Sequence, residues 1–81
     1  MRVRVRLFAS LMEAAERSEV ELDLPEAATA EAAWQRLLAE HPALGARRPS
    51  LSVAVNRAYS GFDAPLAEGD EVVFIPPISG G

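Results

Sequence analysis

The 81-residue sequence contains no cysteine, no lysine, a single histidine and no long apolar run. Without cysteine the chain cannot form disulfides, zinc–thiolate sites, iron–sulfur clusters or a persulfide on one of its own side chains. No run approaches the roughly 20 apolar residues of a membrane-crossing helix, and Arg2, Arg4 and Arg6 interrupt any apolar region that could act as a secretion signal. We therefore expect a cytoplasmic protein with no membrane partner.

Catalytic motifs are also scarce. The single histidine, His41, stands beside Pro42 where a helix should end, which favours a structural role over that of a base or metal ligand. The sequence has neither a glycine-rich phosphate loop of known spacing nor a G-x-S-x-G elbow. Its acidic residues mostly alternate outward on predicted strands, as on a solvated face. We predict no metal site and no enzymatic activity for this chain alone.

The charge balance argues against nucleic acid as a partner. Twelve acidic residues stand against eight cations, all arginine, which gives a net charge of -4 and favours a basic or amphiphilic partner surface. The absence of lysine has two interpretations. It fits a general preference for arginine, and it fits the avoidance of ε-amines that would attack an activated acyl group on the same chain. The sequence leaves both open.

The apolar residues that are present predict one small domain with one core, since they make up 49% of the chain. Alternation of apolar and polar residues predicts strands at 2–8, 19–25, 51–55 and 71–75, with a short return strand after a turn near Asn56 and Arg57. The inward-facing residues of these strands are Val3, Val5, Leu7, Val20, Leu22, Leu24, Leu51, Val53, Val55, Val72 and Phe74.

Helical periodicity predicts one main helix and one short one. The main helix follows an N-cap at Thr29 and ends before Pro42, and its apolar stripe is Ala30, Ala33, Trp34, Leu37 and Leu38. The short helix, residues 10–17, is predicted from the capping-box spacing of Ser10 and Glu13, with Leu11, Met12 and Ala15 as its stripe. The order of elements predicts an α+β fold: a mixed sheet of about five strands, with the main helix on one face and the other face partly open.

The chain closes on "FIPPISGG", which predicts an extended tail. Pro76 and Pro77 fix two successive φ angles, stop the last strand and direct the following residues away from the sheet. Residues 76–81 can reach about 20 Å. Gly80 and Gly81 have no side chains, so they can thread a narrow channel and leave the α-carboxylate of Gly81 accessible. The alternative is a frayed terminus.

The predicted organisation is thus a folded domain, 1–75, followed by a reactive tail, 76–81. We expect Gly81 to carry the chemistry and the other tail residues to thread into a partner: Pro76, Pro77, Ile78, Ser79 and Gly80. Strand alternation also points Phe8, Val73 and Ile75 away from the core, with Tyr59 nearby, and these form a candidate partner-binding patch. Scattered exposed apolar residues are, however, also normal on monomers.

The terminal pattern F-x-P-P-x-x-G-G, with "LFAS", "TAEAAWQRL", "AVN" and "FDAPLAEGDEVV" before it, resembles the MoaD family, the small subunits of molybdopterin synthase. The resemblance covers the whole chain and implies a ubiquitin-like β-grasp fold. Two departures are modest: the family often has an aromatic residue at the position of Ile75, and "ISGG" replaces variants such as "VAGG".

The resemblance also implies a mechanism in which this chain carries sulfur. An adenylyltransferase similar to ubiquitin-activating enzymes uses ATP and magnesium to convert Gly81 into an acyl-adenylate, and a persulfide donor supplies the sulfur of a thiocarboxylate. The thiocarboxylate then donates sulfur to cyclic pyranopterin monophosphate in the catalytic large subunit, within a heterotetramer. The chain itself would bind no cofactor.

Three alternatives stay open at this point. The chain could be a sulfur carrier for thiamine or tRNA thiolation, a β-grasp module that only binds partners, or a protein modifier attached to lysines. The first class tends to be shorter and to lack a helix between the first two strands. The predicted helix at 10–17 and the pair Pro76 and Pro77 therefore favour the molybdopterin synthase subunit.

Overall fold

The computed structural model describes residues 1–45 and 51–77. Within them the predicted order of elements is confirmed, with the following bounds: β1 Arg2–Leu7, α1 Ala9–Ala15, β2 Glu19–Asp23, α2 Ala30–Glu40, β3 Ser52–Val55, β4 Ala58–Ser60 and β5 Glu71–Ile75. Four of the residues assigned to the tail, Ile78, Ser79, Gly80 and Gly81, lie outside the described residues.

The five strands form one mixed sheet in the order β2-β1-β5-β3-β4. β1 and β5 pair in parallel, whereas β1 with β2, β5 with β3, and β3 with β4 pair antiparallel. The first and last strands in sequence are thus neighbours at the middle of the sheet. This arrangement confirms the predicted mixed sheet and places the strand that precedes the tail between two partners.

The core lies on one face of the sheet and centres on Phe74. The inward residues of β1 and β5 are buried, as the alternation predicts. Four of the five residues in the predicted stripe of α2 are buried as well, and the fifth, Leu38, is half-buried. Trp34 meets the Phe74 ring edge-on, with centroids 5.1 Å apart and an interplanar angle of 69°. Phe62 stacks on the same ring at 5.9 Å and 18°. Both contacts have the geometry that aromatic pairs prefer, so the last strand is anchored from two sides.

The helix α2 begins and ends where the sequence predicts. Thr29 has extended backbone angles, and its Oγ1 accepts a hydrogen bond from the Ala32 N–H at 3.2 Å, which satisfies one of the free donors of the first turn. The helix stops at Glu40. His41 is the C-cap residue, and its N–H donates to the Leu37 carbonyl at 2.9 Å. The prediction that His41 is a helix-end residue is confirmed.

The prediction for α1 was wrong in three respects, one of which is its end: the helix stops at Ala15, with Glu16 as the C-cap residue, and not at Arg17. The helix begins at Ala9 with Phe8 as the N-cap residue and without a side-chain cap, because Ser10 already lies inside the first turn. Met12 is 40% exposed, whereas Leu11 and Ala15 are buried. Positions four residues apart share one helix face, and Met12 points about 100° away from Leu11. A seven-residue helix therefore buries a narrower stripe than predicted.

The turn between β3 and β4 is formed by Asn56 and Arg57, as predicted. Both residues have positive φ, 50° and 71° respectively, as in the two-residue hairpin turns whose twist matches that of the flanking strands. Asparagine tolerates this region better than most residues. Within the described part of the chain, no helix has the length and apolar character needed to cross a membrane.

Candidate functional site

The face of the sheet opposite the core has a charged half on β1 and β2. Three arginines of β1 stand opposite three carboxylates of β2: Arg2 with Asp23, Arg4 with Glu21, and Arg6 with Glu19. Arg2 forms ion pairs with Glu21 at 3.7 Å and Asp23 at 3.3 Å. The hydrogen bond to Asp23, supported by the neighbouring carboxylate charges, raises the pKa of Arg2 above its ordinary value. These exposed pairs form a solvated face, as predicted.

The other half of this face lies on β5, β3 and β4 and is mainly apolar, although Glu71 and Ser52 also face outward there. Val73 pairs with Ala54, which pairs on its other side with Tyr59, so the three residues form one row across the sheet. Tyr59 is 79% exposed, and Val73 and Ile75 are half-buried. Ile75 lies two residues beyond Val73 on the same face, opposite Ser52.

Phe8 lies at the same end of the sheet as Ile75. It follows Leu7, the last residue of β1, and Leu7 pairs with Phe74, the residue before Ile75. The Phe8 side chain is 46% exposed. We name Phe8, Tyr59, Val73 and Ile75 the tail-side patch. The structure therefore brings Phe8, Val73 and Ile75 to one region next to the tail, with Tyr59 on the edge strand two strand spacings, about 10 Å, from Val73.

Ala54 also belongs to this surface, although it is not among the residues predicted for the patch. It occupies the outward position between Val73 and Tyr59, yet it is only 8% exposed and lies outside the hydrophobic core cluster. Its side chain is smaller than those of its two neighbours in this row, Val73 and Tyr59. Its alternation with the inward Val53 does predict that Ala54 faces outward. An alanine in a strand carries no distinctive chemistry, however, so this position did not stand out in the sequence.

Arg6 is the second residue that the sequence analysis passed over. It faces outward in the row of Val73 and lies beside the tail-side patch, where its guanidinium carbon is 5.7 Å from the centroid of the Phe8 ring. Its Nη1 is 3.6 Å from Oε2 of Glu71 on β5. An outward arginine in an alternating strand is typical of a solvated face, so the sequence pattern alone did not distinguish it.

The tail leaves from the middle of the sheet, next to the tail-side patch. β5 ends at Ile75, Pro76 is half-buried, and Pro77 is exposed. Proline cannot donate a ladder hydrogen bond, which explains why the strand ends here. The residues beyond Pro77 lie outside the described part, so their predicted threading role stays a prediction.

The described residues bring together no group of three or more His, Asp or Glu side chains that could hold a metal ion. Two surface depressions lie on the side of β2. One of about 220 Å³ is lined by Arg2, Val3, Arg4, Glu21, Glu68 and Gly69. Another of about 580 Å³ is lined by Arg17, Glu19, Val20, Glu21, Glu40 and His41. Neither lining includes a residue of the tail-side patch.

Comparison with known proteins gives the family. The ThiS family matches residues 5–81. The chain belongs to the ThiS family. Two relatives of this ThiS-family chain are molybdopterin synthase sulfur carrier subunits. The one from Escherichia coli (strain K12) is 39% identical over 83 aligned positions, covering 98% of this chain and 99% of that protein. The one from Chlamydomonas reinhardtii is 35% identical, and the match covers all of both chains.

Solved structures confirm the expected ubiquitin-like β-grasp fold of this ThiS-family chain. The small archaeal modifier protein 1 of Haloferax volcanii superposes with a TM-score of 0.92 at 31% identity, and all of both chains is covered. A Caldiarchaeum subterraneum ubiquitin matches with a TM-score of 0.64 at 18% identity, covering 100% of this chain and 98% of that one. A subunit from the complex of subunits 1 and 2 of the Helicobacter pylori molybdopterin-converting factor matches with a TM-score of 0.70 at 22% identity and full coverage of both.

Proposed function

We propose that this chain is the sulfur-carrier small subunit of molybdopterin synthase and that it acts in molybdenum cofactor biosynthesis. The observation that carries the proposal is the end-to-end similarity to the Escherichia coli sulfur carrier subunit, 39% identity over 99% of that protein. The ThiS family match extends through residue 81, which supports a shared pattern over both the folded domain and the proposed reactive end.

The geometry supports delivery of the tail to another protein. β5 is held on both sides by β1 and β3, and Phe74 is anchored by Trp34 and Phe62. The exit point at Pro76 is therefore rigid, whereas residues 76–81 can extend about 20 Å beyond it. A rigid base with an extended arm suits a carrier whose reactive end works inside the active site of a partner.

The proposed chemistry takes place on the α-carboxylate of Gly81. A carboxylate is a poor acyl donor, so an activating adenylyltransferase would first join it to AMP from ATP, with magnesium bound by that enzyme and pyrophosphate released. The terminal sulfur of a persulfide donor would then attack the acyl carbon and displace AMP. Cleavage of the remaining S–S bond by a thiol, which is oxidised to a disulfide, would leave the thiocarboxylate. This chain supplies no cysteine for these steps.

The proposed acceptor is cyclic pyranopterin monophosphate, held by the large subunit. The Helicobacter pylori complex of subunits 1 and 2, one chain of which shares this fold, supports a large-subunit partner. We expect the large subunit to bind the tail-side patch, because a partner that encloses the tail must also cover the surface from which the tail leaves. Catalytic side chains would belong to the large subunit, in a heterotetramer of two small and two large chains.

A reconstitution experiment tests the proposal. The purified chain is incubated with the activating enzyme, ATP, magnesium and a persulfide donor, and its intact mass is measured. We expect replacement of one oxygen by sulfur, localised to Gly81 by fragmentation. Addition of the large subunit and cyclic pyranopterin monophosphate should then convert the precursor to molybdopterin and regenerate the carboxylate.

Two controls make the result specific. A reaction without ATP should give no mass change, and a variant with one residue added after Gly81 should fold normally, as judged by circular dichroism, yet carry no sulfur. If the chain without an added residue keeps its original mass after incubation with a competent cognate activating enzyme, the result would contradict the proposal. Sulfur loading without molybdopterin formation would favour a carrier for thiamine or tRNA thiolation instead.

A second candidate function is protein modification. It is favoured by the TM-score of 0.92 to the Haloferax volcanii small archaeal modifier protein 1. Both functions would begin with the same adenylate at Gly81, but a modifier would form an amide with a lysine amine instead of a thiocarboxylate. Mass spectrometry of cell proteins digested with trypsin separates the two, since conjugation leaves a chain remnant on target lysines.

A further inference from the structure

Among the described contacts, Arg6 is the only arginine of β1 whose side chain contacts both a carboxylate of the open face and a residue of the tail-side patch. Its guanidinium contacts the carboxylate of Glu71 at 3.6 Å and the ring of Phe8 at 5.7 Å from the centroid. The Arg6 side chain is 47% exposed and that of Glu71 21% exposed. The pair therefore lies at the boundary between water and the apolar surface.

Arg4 provides a natural comparison. It lies on the same strand and the same face as Arg6, between Glu21 and Glu71 in the register. Within the described residues, however, Arg4 forms no ion pair, because Glu21 pairs with Arg2 and Glu71 pairs with Arg6. Both arginines add one positive charge to the same region, but only Arg6 is held against the patch.

The contact restricts an aromatic side chain that is half exposed. Phe8 is the residue between β1 and α1, and 46% of its surface is exposed. A half-exposed side chain samples several rotamers, and ordering it on binding costs free energy. A planar guanidinium over the ring attracts its π-face and favours one orientation. Because Glu71 holds Arg6 from the neighbouring strand, that orientation is present before any partner arrives.

We propose that Arg6 is a positioning residue for docking of the large subunit: held by Glu71, it orients the Phe8 ring in the tail-side patch. This inference rests on the proposed function, which makes the large subunit the protein that takes up the tail. The tail reaches only about 20 Å beyond Pro76, so the surface around Phe8 and Ile75 comes close to that same partner. The Arg6–Glu71 pair is neutral as a whole, so the partner need not supply a countercharge.

A double-mutant cycle on affinity for the large subunit tests the proposal. Arg6→Gln, Phe8→Ala and the double variant are titrated with the large subunit by calorimetry, and Arg4→Gln is the matched control because it removes the same charge from the same strand. We expect Arg6→Gln to weaken binding about fivefold in the wild-type background. In the Phe8→Ala background the same substitution should have no effect, and Arg4→Gln should bind as the wild type does in 0.5 M salt, where general charge effects are screened.

A second measurement needs no partner. In NMR spectra of the free chain, the side-chain protons of Arg6 should be shifted upfield by the Phe8 ring current, and Phe8→Ala should abolish that shift. Glu71→Gln should reduce it, because the guanidinium loses its second anchor. In the titrations with the large subunit, by contrast, Arg6→Lys should bind more tightly than Arg6→Gln but more weakly than the wild type, since an ammonium keeps the charge but not the planar contact.

The outcomes separate this inference from the proposed function. The role of Arg6 would be overturned if Arg6→Gln and Phe8→Ala had additive effects on affinity, or if Arg6→Gln and Arg4→Gln lowered the affinity equally. Binding of the wild-type chain to the large subunit would still support the proposed function. Absence of the upfield shift would overturn the role of Arg6 as well. A wild-type chain that does not bind the large subunit would overturn the proposed function, and the docking role of Arg6 with it.

Discussion

The side-chain amide of Asn56 donates a hydrogen bond of 2.8 Å to Oδ1 of Asp70, which links the turn between β3 and β4 to the loop before β5. The same amide accepts from the Glu71 N–H at 3.0 Å, and Oδ2 of Asp70 accepts from the Ala67 N–H at 2.8 Å. The two bonds of Asn56 join residues 14 and 15 positions apart in the chain, and the bond of Ala67 lies within the loop before β5. They fix the start of the strand that carries the tail.

Asn56→Ala should destabilise the chain by about 2 to 3 kcal/mol, because it removes two side-chain hydrogen bonds and places alanine at a φ of 50°. Asn56→Gly should cost about 1 kcal/mol less, since glycine accepts that backbone conformation. Chemical denaturation followed by circular dichroism gives both values. Equal losses for the two variants would show that the left-handed conformation contributes nothing.

Trp34→Phe should be well tolerated. The indole Nε1 is buried and has no hydrogen-bond partner among the described residues, so its removal relieves a desolvation cost that offsets part of the lost packing. Phenylalanine also keeps an aromatic edge for Phe74. We expect a loss of about 1 kcal/mol, compared with about 3 to 5 kcal/mol for Trp34→Ala. Denaturation midpoints that fell equally in both variants would contradict this expectation.

Thr29→Ala should lower the unfolding free energy by about 1 kcal/mol, because the Ala32 N–H at the start of α2 loses its acceptor. Thr29→Ser is the matched control and should retain most of that stability, since serine keeps the hydroxyl. Thermal and denaturant unfolding measure the difference. A serine variant as unstable as the alanine variant would assign the effect to the lost methyl group.

Tyr59→Ala should weaken binding of the large subunit by tenfold or more while leaving stability unchanged, because the ring is 79% exposed in the free chain. Arg57→Asn, in the same hairpin and at a φ of 71° that asparagine accepts, is the control and should bind normally. Calorimetric titration gives the affinities. Unaltered affinity of the Tyr59 variant would remove this residue from the docking surface.

The strands and α2 were predictable because their signals are local. The alternation in residues 2–7 reflects only the burial of one face of that strand. Thr29, followed by apolar residues at helical spacing, likewise marks a helix without reference to the rest of the fold. The start of α1 was not predictable in this way. Ser10 and Glu13 have capping-box spacing, but the helix begins one residue earlier, at Ala9, and forms no side-chain cap.

The candidate site was predictable only in part. Strand alternation points Phe8, Val73 and Ile75 away from the core, but it cannot show which strands are neighbours. The contact of Arg6 with Glu71 depends on the parallel pairing of β1 with β5, which joins residues far apart in the chain. Propensity and periodicity carry no information on such pairings. Hence Arg6 looked like any outward arginine until the sheet order was known.

The central position of β5 has a mechanical consequence. A pull on the tail acts along the axis of a strand that is paired with β1 on one side and β3 on the other. Such a force acts in shear on the hydrogen bonds to both neighbouring strands at the same time. A pull across an edge strand would instead break its hydrogen bonds one after another. Pairing on both sides of β5 should therefore make the folded domain resist unfolding when force is applied to the end of the chain.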